Sequence, residues 1–145
     1  MKVDYKFYGA SNCEVTPVNN EFSVKNPKDL YDALLHVWKK DTCAPRMQKD
    51  WSVDNITLGQ CSITAFLVQD IFGGLVYGVK LKDGNFHCYN VIGTSKFDLT
   101  SEQFKGEQLE YSDKYVQLRE EHFKKEEKYK RYLLLRKDLK KYLEQ

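Results

Sequence analysis

The chain lacks any apolar run long enough to cross a bilayer, and its start, Met1-Lys2-Val3-Asp4-Tyr5-Lys6, has no hydrophobic h-region. Export and membrane insertion are therefore not expected, and a cytoplasmic location is. It also lacks a charge excess of one sign: 23 basic residues face 21 acidic ones, a net +2 that gives no general attraction to nucleic acid or anionic lipid. Its four cysteines, Cys13, Cys43, Cys61 and Cys88, include no C-x-x-C pair and no cysteine/histidine spacing of the zinc-finger kind. Neither a metal nor a cofactor is indicated, and reduced thiols are expected in a reducing compartment. No internal repeat or low-complexity tract is present, which excludes a solenoid or a linker between two domains.

What is present suits one α+β domain over residues 1–145, since 41% hydrophobic and 30% charged residues give a real core under a solvated surface. In residues 1–25, Val3, Tyr5 and Phe7 alternate with Lys2, Asp4 and Lys6, the period of an edge strand or an ordered arm. The core is expected over 26–104. Asn26 can cap a first helix with Pro27 in its first turn, and Leu30, Leu34, Val37 and Trp38 make its apolar stripe. A loop follows from Asp41 to Leu58. The run from Gln60 to Phe72 is apolar almost all round, as in a central helix covered on most sides, and Gly73-Gly74 ends it.

Asp83-Gly84 between Leu75–Leu81 and Phe86–Ile92 predicts an antiparallel hairpin. A turn at Gly93-Thr94-Ser95 leads to a short strand at Lys96–Leu99, making a three-stranded meander, and Thr100 can cap a helical turn. From about Asp113 to Gln145 glutamates precede bases at i,i+4 (Glu120/Lys124, Glu121/Lys125, Glu126/Lys130, Glu127/Arg131), which predicts a long C-terminal helix. Tyr132, Leu135, Leu139 and Tyr142 form its apolar stripe. That stripe docks on the helix's own domain or on a second copy, the route to a homo-oligomer. Eleven basic residues between Lys114 and Lys141 invite a nucleic-acid reading, but the interleaved glutamates argue against it.

The candidate chemistry centres on Cys61, at the start of the central helix, where unpaired N–H groups and the helix dipole favour a thiolate. Gly59 permits close approach, and the Cys61 N–H with the Gln60 side chain are candidate oxyanion donors; the alternative for Gln60 is a plain backbone cap. Of the histidines, His36 lies inside the first helix and His122 among the charges of the last, which leaves His87 as the base. Along its strand His87, Tyr89 and Val91 share one face and Cys88, Asn90 and Ile92 the other, so Cys88 reads as a packed core thiol. Asp98 is the expected orienter, accepting from the His87 Nδ1–H. Its face depends on the turn: a two- or four-residue connection puts it with His87, whereas a three-residue one sets it opposite Asn90, the substitute orienter. Trp51 reads as a loop anchor.

These residues carry a resemblance. Trp51, Gly59-Gln60-Cys61-Ser62-Ile63-Thr64-Ala65 running to Gln69-Asp70-Ile71-Phe72-Gly73-Gly74, then His87-Cys88-Tyr89-Asn90 and Phe97-Asp98-Leu99-Thr100-Ser101-Glu102-Gln103-Phe104 resemble the YunG-like family of bacterial proteins. The likeness spans about Trp38 to Phe104, with a weaker echo in the charged end, and the first 25 residues look like an addition. The order of cysteine on a helix, histidine on a strand and aspartate on the next strand is also similar to the papain-like and transglutaminase-like superfamily, whose thiol enzymes cleave or transfer acyl groups. That likeness implies a papain-like core with Cys61 as nucleophile, His87 as base and Asp98 as orienter. The segment between Cys61 and His87 is short for it. Two functions follow: a thiol hydrolase or acyltransferase on an amide, thioester or isopeptide of a small molecule or protein, or a non-catalytic interaction module that keeps the fold.

Overall fold

The computed structural model describes residues 4–145. It is a mixed α/β fold with a small antiparallel sheet and a C-terminal helix. Helix α1 (Pro27–Leu34) starts as its sequence dictates: the Asn26 Oδ1 accepts from the Asp29 N–H at 2.8 Å, and Pro27 sits where no N–H is needed. It ends sooner than its apolar stripe. Val37 and Trp38 are still buried, but in the turn that follows, where the Trp38 indole donates to Thr64 Oγ1 at 2.9 Å. The expected loop contains two 3₁₀ turns, Lys40–Thr42 and Pro45–Asp50. Within it the Trp51 indole donates to the Ile56 carbonyl at 2.9 Å, the work of a loop anchor.

Helix α2 (Cys61–Phe72) lies between the sheet and the other helices, with Ile63, Phe66, Leu67 and Val68 fully buried. Each such side chain contributes roughly 1.5–3 kcal/mol by leaving water. Strands β1 (Leu75–Lys80), β2 (Phe86–Ile92) and β3 (Ser95–Phe97) form the predicted antiparallel meander. A fourth strand, β4 (Tyr115–Gln117), pairs antiparallel with β1 and completes the order β3-β2-β1-β4. It falls where the charge pattern predicts helix. Residues 113–125 therefore divide into β4 and a short helix α3 (Arg119–His122), and α4 (Glu126–Leu143) begins only afterwards. The pairs Glu126–Lys130 and Glu127–Arg131 form as spaced, while Glu121 pairs with Lys124 instead of Lys125.

Tyr132, Leu135 and Leu139 are buried within the chain, against α2 and α1. The stripe that offered a homo-oligomer surface is thus covered by the protein's own core. Asp70 at the end of α2 fixes this docking, because it takes Arg119 at 2.6 Å and Arg136 at 3.0 Å together with the Tyr132 hydroxyl. The expected strand alternation before residue 25 falls partly on Lys2 and Val3, outside the described residues. From Asp4 the segment is an ordered arm with Phe7 buried and one antiparallel bridge, Tyr8 to Asp98. No helix among the described residues is long and apolar enough to cross a membrane, and all four cysteines are unbridged.

Candidate active site

The backbone decides where Asp98 points. Gly93-Thr94 makes a two-residue connection, Ile92 pairs with Ser95 and Asn90 with Phe97, so the register carried one residue on sets Asp98 beside Tyr89. It therefore shares the His87 face. The carboxylate Oδ2 lies 2.6 Å from His87 Nε2, with both side chains buried. The nitrogen differs from the expected Nδ1. Asp98 is a diagonal neighbour of His87, not a direct one, and meets the distal end of the ring. Nδ1 is left for Cys61.

Asp98 is held by more than the histidine. Its Oδ2 also accepts from the Tyr111 hydroxyl at 2.8 Å, while Oδ1 accepts the Thr100 N–H at 3.1 Å and the Thr100 hydroxyl at 3.2 Å. Thr100, expected to cap a helical turn, thus binds Asp98 and makes no side-chain cap. Tyr111 stacks on Tyr8 of the arm, with ring centroids 3.8 Å apart. Burial, and after it the Asp98 charge, raises the Tyr111 phenol far above its ordinary range, so it remains a donor. The Phe104 ring stands edge-on to His87 at 4.6 Å and keeps water from it.

Cys61 is the first residue of α2 and half-buried. Gly59 makes its approach feasible, since its φ of +71° is left-handed and an added Cβ would lie 2.5 Å from Cys43 Sγ. The thiol has two neighbours on β2, Cys88 and His87. The Cys88 S–H donates to Cys61 and, opposed by burial but aided by the His87 charge and hydrogen bond, holds the Cys61 thiol well below the ordinary range. Cys88 moves the other way, pushed up by that same hydrogen bond and by burial. Burial would lower His87, but the charges of Asp98 and Cys61 and their hydrogen bonds override it and push the imidazole up to about 10. The favoured state is a Cys61 thiolate beside a His87 imidazolium.

Two candidates stand elsewhere. Asn90, the substitute orienter, donates instead to the Ala65 carbonyl at 2.9 Å, because its side of β2 faces α2. Gln60, the candidate oxyanion donor, is fully buried and gives its Nε2 to the Lys39 carbonyl at 3.0 Å, so it acts as a backbone tie. It makes no side-chain cap on α2, however, which leaves the N–H groups of Cys61 and Ser62 without intrahelical partners at the thiol.

A cleft of about 720 Å³ opens over the thiol, lined by Cys61, Ser62, His87 and Phe104 from the core and by His122 and Lys128 from the C-terminal segment. Sequence reasoning set the last two aside as part of a charged helix. In the fold Lys128 Nζ lies 2.9 Å from His122 Nδ1, and His122 Nε2 lies 2.8 Å from Gln117 Oε1. Burial, reinforced by Lys128, pushes His122 down to about 4 and keeps it neutral. Among the described residues no group of three His, Cys, Asp or Glu is arranged to hold a metal.

A family model described as YunG protein matches residues 26–144, which includes every element from α1 to α4 and excludes the arm. The chain is 35% identical over 66 residues to "Uncharacterized protein YunG" of Bacillus subtilis (strain 168). That alignment covers 46% of this chain and 56% of the relative, so the chain spans little more than half the length of the curated relative it matches. No solved structure matches.

Proposed function

The chain belongs to the YunG family, and we propose that it is a thiol hydrolase or acyltransferase with Cys61 as nucleophile, His87 as proton carrier and Asp98 as orienting carboxylate. The observation that carries this reading is the convergence of residues 61, 87 and 98: Cys61 and His87 line one cleft, and the ring's far nitrogen is bound to the buried Asp98. Core packing alone gives no reason for a half-buried thiol to meet a buried imidazole and carboxylate. The order of helix, strand and following turn also supports a papain-like or transglutaminase-like core.

In the proposed cycle the Cys61 thiolate attacks the acyl carbonyl carbon, and a C–S bond forms as the carbonyl π electrons move to oxygen. The unpartnered N–H groups of Cys61 and Ser62 receive that oxyanion. His87 then gives its proton to the departing amine or thiol, and the bond to that group breaks. Water, or an acceptor amine in a transfer, next loses a proton to His87 and attacks the thioester. The C–S bond breaks, and thiolate and imidazolium are restored. Asp98 keeps the ring oriented throughout. Amides, thioesters and isopeptides all fit this chemistry.

The test is the reaction of the protein with an activated ester, p-nitrophenyl acetate, near neutral pH, followed by mass spectrometry of the cysteine peptides. The expected result is an acyl group on Cys61 and not on Cys13, Cys43 or Cys88, formed roughly tenfold more slowly in His87→Ala. If Cys61 takes no acyl group, the catalytic reading fails and the interaction module is the better account.

A further inference from the structure

The cleft over Cys61 carries more positive charge than its ion pairs account for. Its two lining glutamates are already matched, Glu121 with Lys124 at 3.1 Å and Glu127 with Arg131 at 2.8 Å. Arg46, Lys125 and Lys128 line the same cleft, and no carboxylate among the described residues lies in ion-pair distance of any of them. Beyond the cleft, exposed Asp83 feels the Arg46 charge at long range. Arg46 and Lys125 are exposed at the rim, but Lys128 is half-buried.

Lys128 has an unusual partner for a desolvated ammonium. Its single hydrogen bond is to the neutral Nδ1 of His122, which uses one of three donors. The supporting chain is built with care: His122 is turned so that its Nε2 meets Gln117 Oε1, and Gln117 lies over Gly78, where a Cβ would stand 2.9 Å from its amide nitrogen. A neutral acceptor orients the ammonium without neutralising it, and a cation taken from water is stabilised chiefly by an opposite charge. Burial accordingly lowers Lys128, and the negative charge that opposes this is that of the Cys61 thiolate. An anion that enters the cleft next to the thiol would complete the pair.

We propose that this wall is an oxyanion subsite: the acyl substrate of Cys61 carries a carboxylate or phosphate group that Lys128 binds, with Lys125 and Arg46 drawing it in from the rim. The inference rests on Cys61 as the reacting group and adds the charge class of what reaches it. Neutral acyl groups would fill the same cleft without pairing Lys128, so anionic ones are preferred.

Iodoacetate and iodoacetamide differ only in a carboxylate against a carboxamide, and both alkylate a thiolate. The ratio of their rates at Cys61, iodoacetate over iodoacetamide, is measured in the wild type, Lys128→Gln and Lys125→Gln. The His87 imidazolium attracts the carboxylate in all three, so the differences report the lysines. The expected ratio falls about fivefold in Lys128→Gln and about twofold in Lys125→Gln, the scale of one or two partly screened charge contacts. NMR titration with glutarate and with inorganic phosphate is the second arm. Movement of the backbone amides from Lys125 to Arg131 is expected, and the anion that moves them at lower concentration identifies the group. The proposal is overturned if neither anion moves those amides, or if the ratio is the same in all three proteins. If Cys61 resists both alkylating agents, the thiol-enzyme reading fails, and the titration alone decides the subsite.

Discussion

His87 Nε2 stands 2.6 Å from Asp98 Oδ2, and each side chain is almost wholly screened from water. A charged pair at that depth is stable only if its remaining hydrogen-bonding capacity is met. Tyr111 and Thr100 meet it on the carboxylate, and Cys61 meets it on the ring.

Asp98→Ala removes the acceptor of four hydrogen bonds and leaves the imidazole buried without its counter-ion. We expect a loss of about 3–5 kcal/mol in folding stability, measured by urea denaturation, because breaking a buried pair strands its partner. Asp98→Asn, which keeps an acceptor oxygen, should lose less.

Cys88→Ala deletes the S–H that donates to the Cys61 thiolate, the largest influence lowering that thiol. The pH midpoint of Cys61 alkylation should rise by about one unit, and Cys88→Ser, which restores a donor, should bring it most of the way back. A midpoint unmoved by Cys88→Ala would leave the low value to His87 and the Cys88 backbone N–H.

The pH dependence of stability has a definite sign. His87 is raised from 6.5 to about 10 in the folded protein, so its contribution is fully present below the unfolded value and is lost as pH rises through about 10. Denaturation midpoints of wild type and His87→Gln should therefore differ most near pH 6 and converge above about 10. Divergence at high pH would contradict the raised imidazole.

Gly59→Ala places a Cβ 2.5 Å from Cys43 Sγ and 2.9 Å from the Ala44 nitrogen, at a φ of +71°. The clash is with packed atoms that cannot swing away, and the left-handed backbone adds strain. We expect a loss of about 2–3 kcal/mol, read by thermal or urea unfolding, with slower acylation of Cys61 because the start of α2 must shift.

Features set by a few neighbouring residues were legible in the sequence: the Asn26-Pro27 start of α1, the bounds of α2 between Gly59 and Gly73, and the Asp83-Gly84 hairpin. Their signals are capping, chain reversal and apolar runs, which need no distant partner. Cys61, His87 and Asp98 were legible as residue types in a plausible order, but the face of Asp98 was open between a two- or four-residue turn and a three-residue one. Tertiary pairing chose the two-residue turn, turned His87 so that Nε2 meets the carboxylate, and left Asn90 to α2.

It also made a strand of Tyr115–Gln117, although the local charge pattern favoured helix, because β1 had a free edge for it. His122 and Lys128 belong to the cleft only through that pairing and the docking of α4 on α2, contacts between segments far apart in the chain. Sequence by itself determined the local elements and the chemistry available to them, since backbone propensity and side-chain type act over a few residues. Which of those side chains meet was decided by packing, because burial and register act across the whole fold and leave no local period to read.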